Sequence, residues 1–138
     1  MSLAPRIPRS PVQHVRRERP GMSPRYLDLI RELPCLGCGH VPDLVKIEAH
    51  HLLRSGEHGT GRKSTDQWAT PLCFSCHSPL VQDSVHFSGD EDAWFSARGI
   101  DARAVARALW AARDEGLPAL RRIIDRARAG AALKARNG

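Results

Sequence analysis

Two Cys-x-x-Cys pairs, Cys35 with Cys38 and Cys73 with Cys76, stand 34 residues apart. Together they supply four thiolates, the donor set that fills every position of a tetrahedral zinc ion and leaves none for water. The spacing therefore predicts a structural zinc site. A redox pair or free buried thiols are the competing readings, and the doubled pattern argues against both. His40, two residues after Cys38, offers an alternative ligand, although four cysteines already suffice. Histidines surround this staple: His50 and His51 between the pairs, His77 directly after Cys76, and His86 nine residues later. A lone histidine is more often structural than a ligand, but four that flank a metal staple in so short a span change those odds.

The elements that must position these residues follow from pattern and punctuation. Ser23-Pro24 reads as an N-cap with proline at the first helical position, and Tyr26, Leu27, Ile30 and Leu33 give that helix one apolar face before Pro34. Residues 44–51 alternate as a short strand ending on His50-His51, and a second strand near Trp68–Leu72 returns the chain to Cys73. Residues 54–66 are Gly-rich and polar, hence a loop. A helix begins near Ser75, and another spans Asp92 to Arg98, ended by Gly99. Asp101 caps a longer one through about Glu115, and Leu120, Ile123 and Ile124 mark a last helix that fades after Gly130. Trp94, Phe95 and Trp110 have helical surroundings and are expected in the core. The expected class is α+β: a small two-strand-plus-helix core, stapled by zinc and flanked by helices at both ends.

Composition bounds the rest. The 138 residues suit one domain, and a 5% aromatic content makes a thin core for which a metal staple is a natural supplement. Of the net charge of +6, residues 1–24 hold five arginines against Glu18, leaving about +2 elsewhere. A basic arm on a nearly neutral body suits nucleic acid, whose phosphates each add a salt-sensitive increment; a solvated tail without a partner is the plain alternative. No run approaches the roughly 18 apolar residues of a membrane span, and the first residues lack an apolar signal core, so a cytoplasmic protein of a bacterium or phage is expected. The organisation expected is a disordered basic arm over 1–22, a zinc-stapled core over 23–100, a helical extension over 101–130 and a flexible tail over 131–138.

The run AHHLLRSGEHGTGRKSTDQWATPLCFSCH resembles the HNH endonuclease pattern. In that family a strand ends on a metal ligand and a general-base histidine, a loop follows, and a second strand leads through Pro-Leu-Cys into a CxxCH helix start. The chain is more specifically similar to HNH nucleases of the phage recombination-enhancement type and related prophage nucleases. The matching residues are Ala49-His50-His51, Gly59 to Lys63, Asp66, Pro71-Leu72-Cys73, His77, His86 with Gly89, and Trp94-Phe95. The resemblance covers about residues 33–100 and implies a ββα-metal site, with His51 as the general base that activates water and Asp66 orienting it. It further implies that His50 and His77, with His86 as third ligand, hold one divalent cation (Mg2+, Mn2+, Ni2+ or Zn2+) that acts on the scissile phosphate. Two departures from the family stand out. Asp66 replaces the usual Asn and sits two residues early, and nine residues separate His77 from His86 where four are common.

The resemblance implies a DNA phosphodiester hydrolase, and it hints at single-stranded or recombination-linked DNA as the substrate. Arg54, Arg62 and Lys63 of the loop lie where phosphates would approach, and the arginines of the last helix, Arg121, Arg122, Arg126 and Arg128, face either DNA or plain solvent. The alternatives are a non-catalytic zinc-binding DNA adaptor, which needs the cysteines and the basic arm but no second metal, and a zinc module that binds protein. The adjacent pair His50-His51 sets one geometric tension. Neighbours on a strand face opposite ways, so His50 and His51 reach one centre only at a strand end or bulge.

Overall fold

The computed structural model of the chain describes residues 20–53 and 65–137. Helix α1 covers Pro24–Arg31, with Ser23 as N-cap: its hydroxyl accepts the Tyr26 amide at 3.3 Å. Tyr26 and Ile30 turn into the core, and the chain then enters the first cysteine pair. Strand β1, Ile47–His51, pairs antiparallel with β2, Ala69–Cys73, in a two-stranded sheet whose register runs from Ile47↔Cys73 to His51↔Ala69. A single 3-10 turn, Asp66–Trp68, leads into β2.

Helix α2, Phe74–His77, follows β2 directly and carries Cys76 and His77. Helix α3, Val85–Ser88, is capped by the Ser84 hydroxyl on the Phe87 amide and closes at Gly89, whose φ of +72° favours a residue without Cβ. Helices α4, Glu91–Ala97, and α5, Ala102–Ala111, start at Asp90 and Asp101, whose carboxylates accept the amides of Ala93 and Ala104. Helix α6, Leu117–Asn137, packs Leu120 and Ile124 against the rest.

One apolar core runs from α1 to α6, with Ile30, Leu33, Leu36, Leu72, Leu109, Leu120 and Ile124 all sealed from solvent. Trp94 and Phe95 are buried core as expected, and Trp110, partly buried, packs against the core and meets the Tyr26 ring edge-on at 5.0 Å. Helix α5 lies against the 3-10 turn and β2, which ties the C-terminal helices to the site-bearing sheet.

The chain departs from the sequence reading at several points. Strand β1 starts at Ile47, not Leu44. Pro42-Asp43 opens a turn in which Leu44 and Val45 donate to the Val41 carbonyl, and β2 ends opposite Ile47 because Phe74 already begins α2. The stretch between Ser78 and Ser84 is a run of turns, and the short helix α3 that follows it has no counterpart in the sequence reading. Helix α6 continues through Gly130 to Asn137, so the flexible tail expected over 131–138 is helical as far as Asn137. Its Ala, Leu, Lys and Arg content favours helix enough to carry one glycine. The arm expected over 1–22 gives way to ordered contacts before its end: residues 1–19 lie outside the described part, but the Gly21 carbonyl accepts the Asp66 amide at 2.7 Å. The loop cations Arg54, Arg62 and Lys63 also lie outside the described residues.

Candidate metal centres and an oriented histidine

The four cysteines converge from the segment after α1 and from the β2–α2 junction. Their sulfurs all lie within 4.8 Å of one another, and none forms a disulfide. Cys38 Sγ and Cys73 Sγ are 3.6 Å apart. A tetrahedral zinc with sulfurs at 2.3 Å would hold them roughly 3.8 Å apart, so the donors suit the ion. The first knuckle is shaped by backbone bonds: the Cys35 amide donates to His40 O, the Gly39 amide to Cys35 O, and the Leu36 amide to Pro71 O. Gly39 adopts φ +82° to close it. Arg128 of α6 donates to the Leu36 carbonyl at 3.0 Å, and its guanidinium lies over Gly39, so the last helix clasps the knuckle.

Electrostatics at the thiols favour a cation. The Cys35 sulfur takes a hydrogen bond from Cys76, and the amides of Cys73 and Cys38 also donate to it, at 3.2 and 3.5 Å. Against the opposing cost of burial these bonds draw its pKa down to about 4. The bond to Cys35 pushes Cys76 up, and burial raises Cys38 to about 11. One thiolate thus forms at the expense of its neighbours, and a divalent ion is what lets all four ionise. His40 Nδ1 stands 2.9 Å from Cys38 Sγ and hydrogen-bonds to that sulfur; it is not one of the four clustered donors.

A second cluster joins His50, His77 and His86, whose ring nitrogens likewise lie within 4.8 Å of one another. Ring centroids are 5.1 Å apart for His50 and His77, 5.2 Å for His50 and His86, and 4.8 Å for His77 and His86. The long gap after His77 is spanned by turns over 79–83 that lead into the cap of α3, and this brings His86 back to the pair. Burial, together with the nearby His50 and His77, lowers the pKa of His86 and favours its neutral, ligating form.

Two carboxylates that the sequence does not single out complete this centre. Glu91, at the start of α4, places Oε1 2.5 Å from His50 Nε2 while its Oε2 accepts the Leu53 amide at 2.9 Å. Glu48 holds His77 through Nδ1. Each carboxylate occupies one ring nitrogen and leaves the other available, the usual support for a metal-binding imidazole. A signal for Glu48 exists: it sits two residues before His50 and so on the same strand face. For Glu91 there is no local signal.

His51 stands apart from that cluster. The β1–β2 ladder stays regular through His51↔Ala69, with no bulge, so His50 and His51 leave the strand on opposite sides. His51 Nε2 lies 2.8 Å from Asp66 Oδ1, and Asp66 Oδ2 accepts the Ser23 amide at 2.7 Å. Asp66 is buried and His51 is a third exposed. The carboxylate fixes the ring through Nε2, and Nδ1 has no hydrogen-bond partner among the described residues.

A mixed α+β protein with two separate side-chain clusters that could each hold a metal ion is the class that fold and site define. The chain belongs to the family described as "Protein of unknown function (DUF968)", whose model matches residues 5–105. That span holds all four cysteines, the three clustered histidines, His51, Asp66, Glu48 and Glu91, while α6 lies beyond it. The chain is also similar to the uncharacterized protein YdfU of Escherichia coli (strain K12), 31% identical over 109 residues, which is 79% of this chain. It spans only 29% of that relative's length. No solved structure shows a significant match. Among the described residues no helix is long and apolar enough to cross a membrane.

Proposed function

We propose that the chain is a metal-dependent DNA endonuclease of the HNH, ββα-metal kind, stapled by zinc at its four cysteines. The observation that carries this reading is the sorting of two adjacent histidines at the end of β1. His50 joins His77 and His86 in a cluster of three imidazoles, and His51 is held by a buried carboxylate. Strand β1, the return through β2 and the helix α2 that carries His77 follow the ββα order.

Each residue then has a task. We place the attacking water at the end of β1, where the substrate phosphate would meet both sides of the strand, and His51 Nδ1 accepts its proton as general base. Asp66 keeps the proton of the resting ring on Nε2 and stabilises the imidazolium once formed. His50, His77 and His86 would hold a divalent cation, which would supply Lewis-acid chemistry at the scissile phosphate. Three imidazoles suit several transition ions. Arg54, Arg62 and Lys63 are the proposed phosphate contacts, and the arginines within residues 1–19 are a further source of backbone affinity.

The test is cleavage of single-stranded, duplex and branched DNA across a panel of divalent cations, run beside His51→Ala. Cutting by the wild type that His51→Ala abolishes, with zinc content and melting temperature unchanged, is the expected result. Equal cutting by both proteins overturns the base assignment. DNA binding without any cation-dependent cutting would instead make the protein a zinc-stapled adaptor.

A further inference from the structure

The two glutamates do more than fill space beside the histidines. A neutral imidazole carries one N–H and one lone pair, and an ionised carboxylate only accepts. The nitrogen facing the carboxylate must therefore bear the proton, and the lone pair falls on the other. At His50 the carboxylate of Glu91 faces Nε2. At His77 the carboxylate of Glu48 faces Nδ1.

The two pairs differ in rigidity. Glu91 is 7% exposed, His50 is 1% exposed, and the second Glu91 oxygen is tied to the Leu53 amide. Glu48 is 28% exposed and rides on the same strand as His50. The clamp from α4 is thus the stiffer of the two.

We propose that Glu91 and Glu48 are positioning residues that set opposite tautomers, so that the cation is taken by Nδ1 of His50 and by Nε2 of His77. This rests on the reading of His50, His77 and His86 as the cation site. Glu91 is the dominant partner. In Glu91→Gln the side-chain carbonyl keeps the Leu53 amide and the NH2 group turns to His50 Nε2. That draws the lone pair onto Nε2 and leaves a proton on the nitrogen meant for the cation.

The experiment uses the full chain with zinc as the probe. Zinc stoichiometry and affinity are measured for the wild type, His50→Ala, Glu91→Gln and Glu48→Gln, and two-bond 1H–15N spectra are recorded on the wild type with zinc at both sites. The expected result is two zinc ions for the wild type and one for His50→Ala. Glu91→Gln should bind the second ion about 10–100-fold more weakly, with a smaller loss in Glu48→Gln. His50 should carry its proton on Nε2 and His77 on Nδ1. The spectra need no variant, so a misfolded mutant does not shield the claim. Two zinc ions in the wild type, with His50 protonated on Nδ1 or with Glu91→Gln binding at full strength, overturn the positioning role and leave the site standing. A single zinc in the wild type brings down the site and this inference together.

Discussion

His51 Nε2 and Asp66 Oδ1 lie 2.8 Å apart, and the other oxygen of the same carboxylate receives the Ser23 amide at the start of α1. The hydrogen bond that orients the proposed base is therefore also a brace between α1 and the turn before β2. Removing either partner should separate the two roles. His51→Ala should lower cleavage by about 10²–10⁴-fold, the range for a positioned acid–base group, with little change in melting temperature. Asp66→Ala should match that loss and also destabilise the fold by ~1–3 kcal/mol, because the Ser23 amide loses its acceptor. Paired cleavage rates and thermal melts check both.

At the cysteines the expected order follows burial and bonding. Cys35 is fully buried and its sulfur accepts two backbone amides. Cys35→Ser or Cys73→Ser should therefore abolish zinc uptake at the cysteines and cooperative unfolding, as chelation of the wild type should. His40→Ala removes only a hydrogen bond to Cys38 and should leave one tightly held zinc at the cysteines. Metal analysis beside circular dichroism melts reads this directly.

Arg128 and Gly39 should prove energetically coupled. A Cβ at position 39 would lie 2.6 Å from Arg128 Nε, and the backbone there sits at φ +82°. Gly39→Ala is expected to cost about 1–2 kcal/mol from the left-handed backbone, plus whatever Arg128 loses by moving. In an Arg128→Ala background the second part disappears. A double-mutant cycle by denaturant unfolding should return an interaction energy of about 0.5 kcal/mol or more; strict additivity would mean that the clasp is absent in solution.

Residues 1–19 carry five arginines and one glutamate. If they track phosphates, their deletion should flatten the plot of log binding constant against log salt. On duplex DNA the slope should change by about 0.9 for every phosphate that the arm neutralises. An unchanged slope would assign the backbone affinity to the rest of the chain.

Local chemistry makes much of this legible. The knuckles and the caps Ser23 and Asp101 follow short-range rules, so spacing and residue type suffice. Helix α3 is hidden from sequence because four residues are too few for a period; only the Ser84 cap and Gly89 mark it. Glu91 is hidden for a different reason. A glutamate beside an aspartate at a helix start looks like ordinary solvent-facing charge, and only tertiary packing buries it against His50. Gly130 reads as a stop, yet helix propensity on both sides outweighs it.

The order of these contacts along the chain has a further consequence. Residues 54–64 divide the sequence into an N-terminal part with Cys35, Cys38, Glu48, His50 and His51, and a C-terminal part with Asp66, Cys73, Cys76, His77, His86 and Glu91. The four-cysteine cluster, the histidine cluster and the bonds His51–Asp66, His50–Glu91 and His77–Glu48 all join one part to the other. Neither half contains a whole centre, so two separately made fragments broken within that stretch should be inert alone. They should reassemble only when zinc is supplied, which would make the ion a switchable splice between complementing halves of one protein.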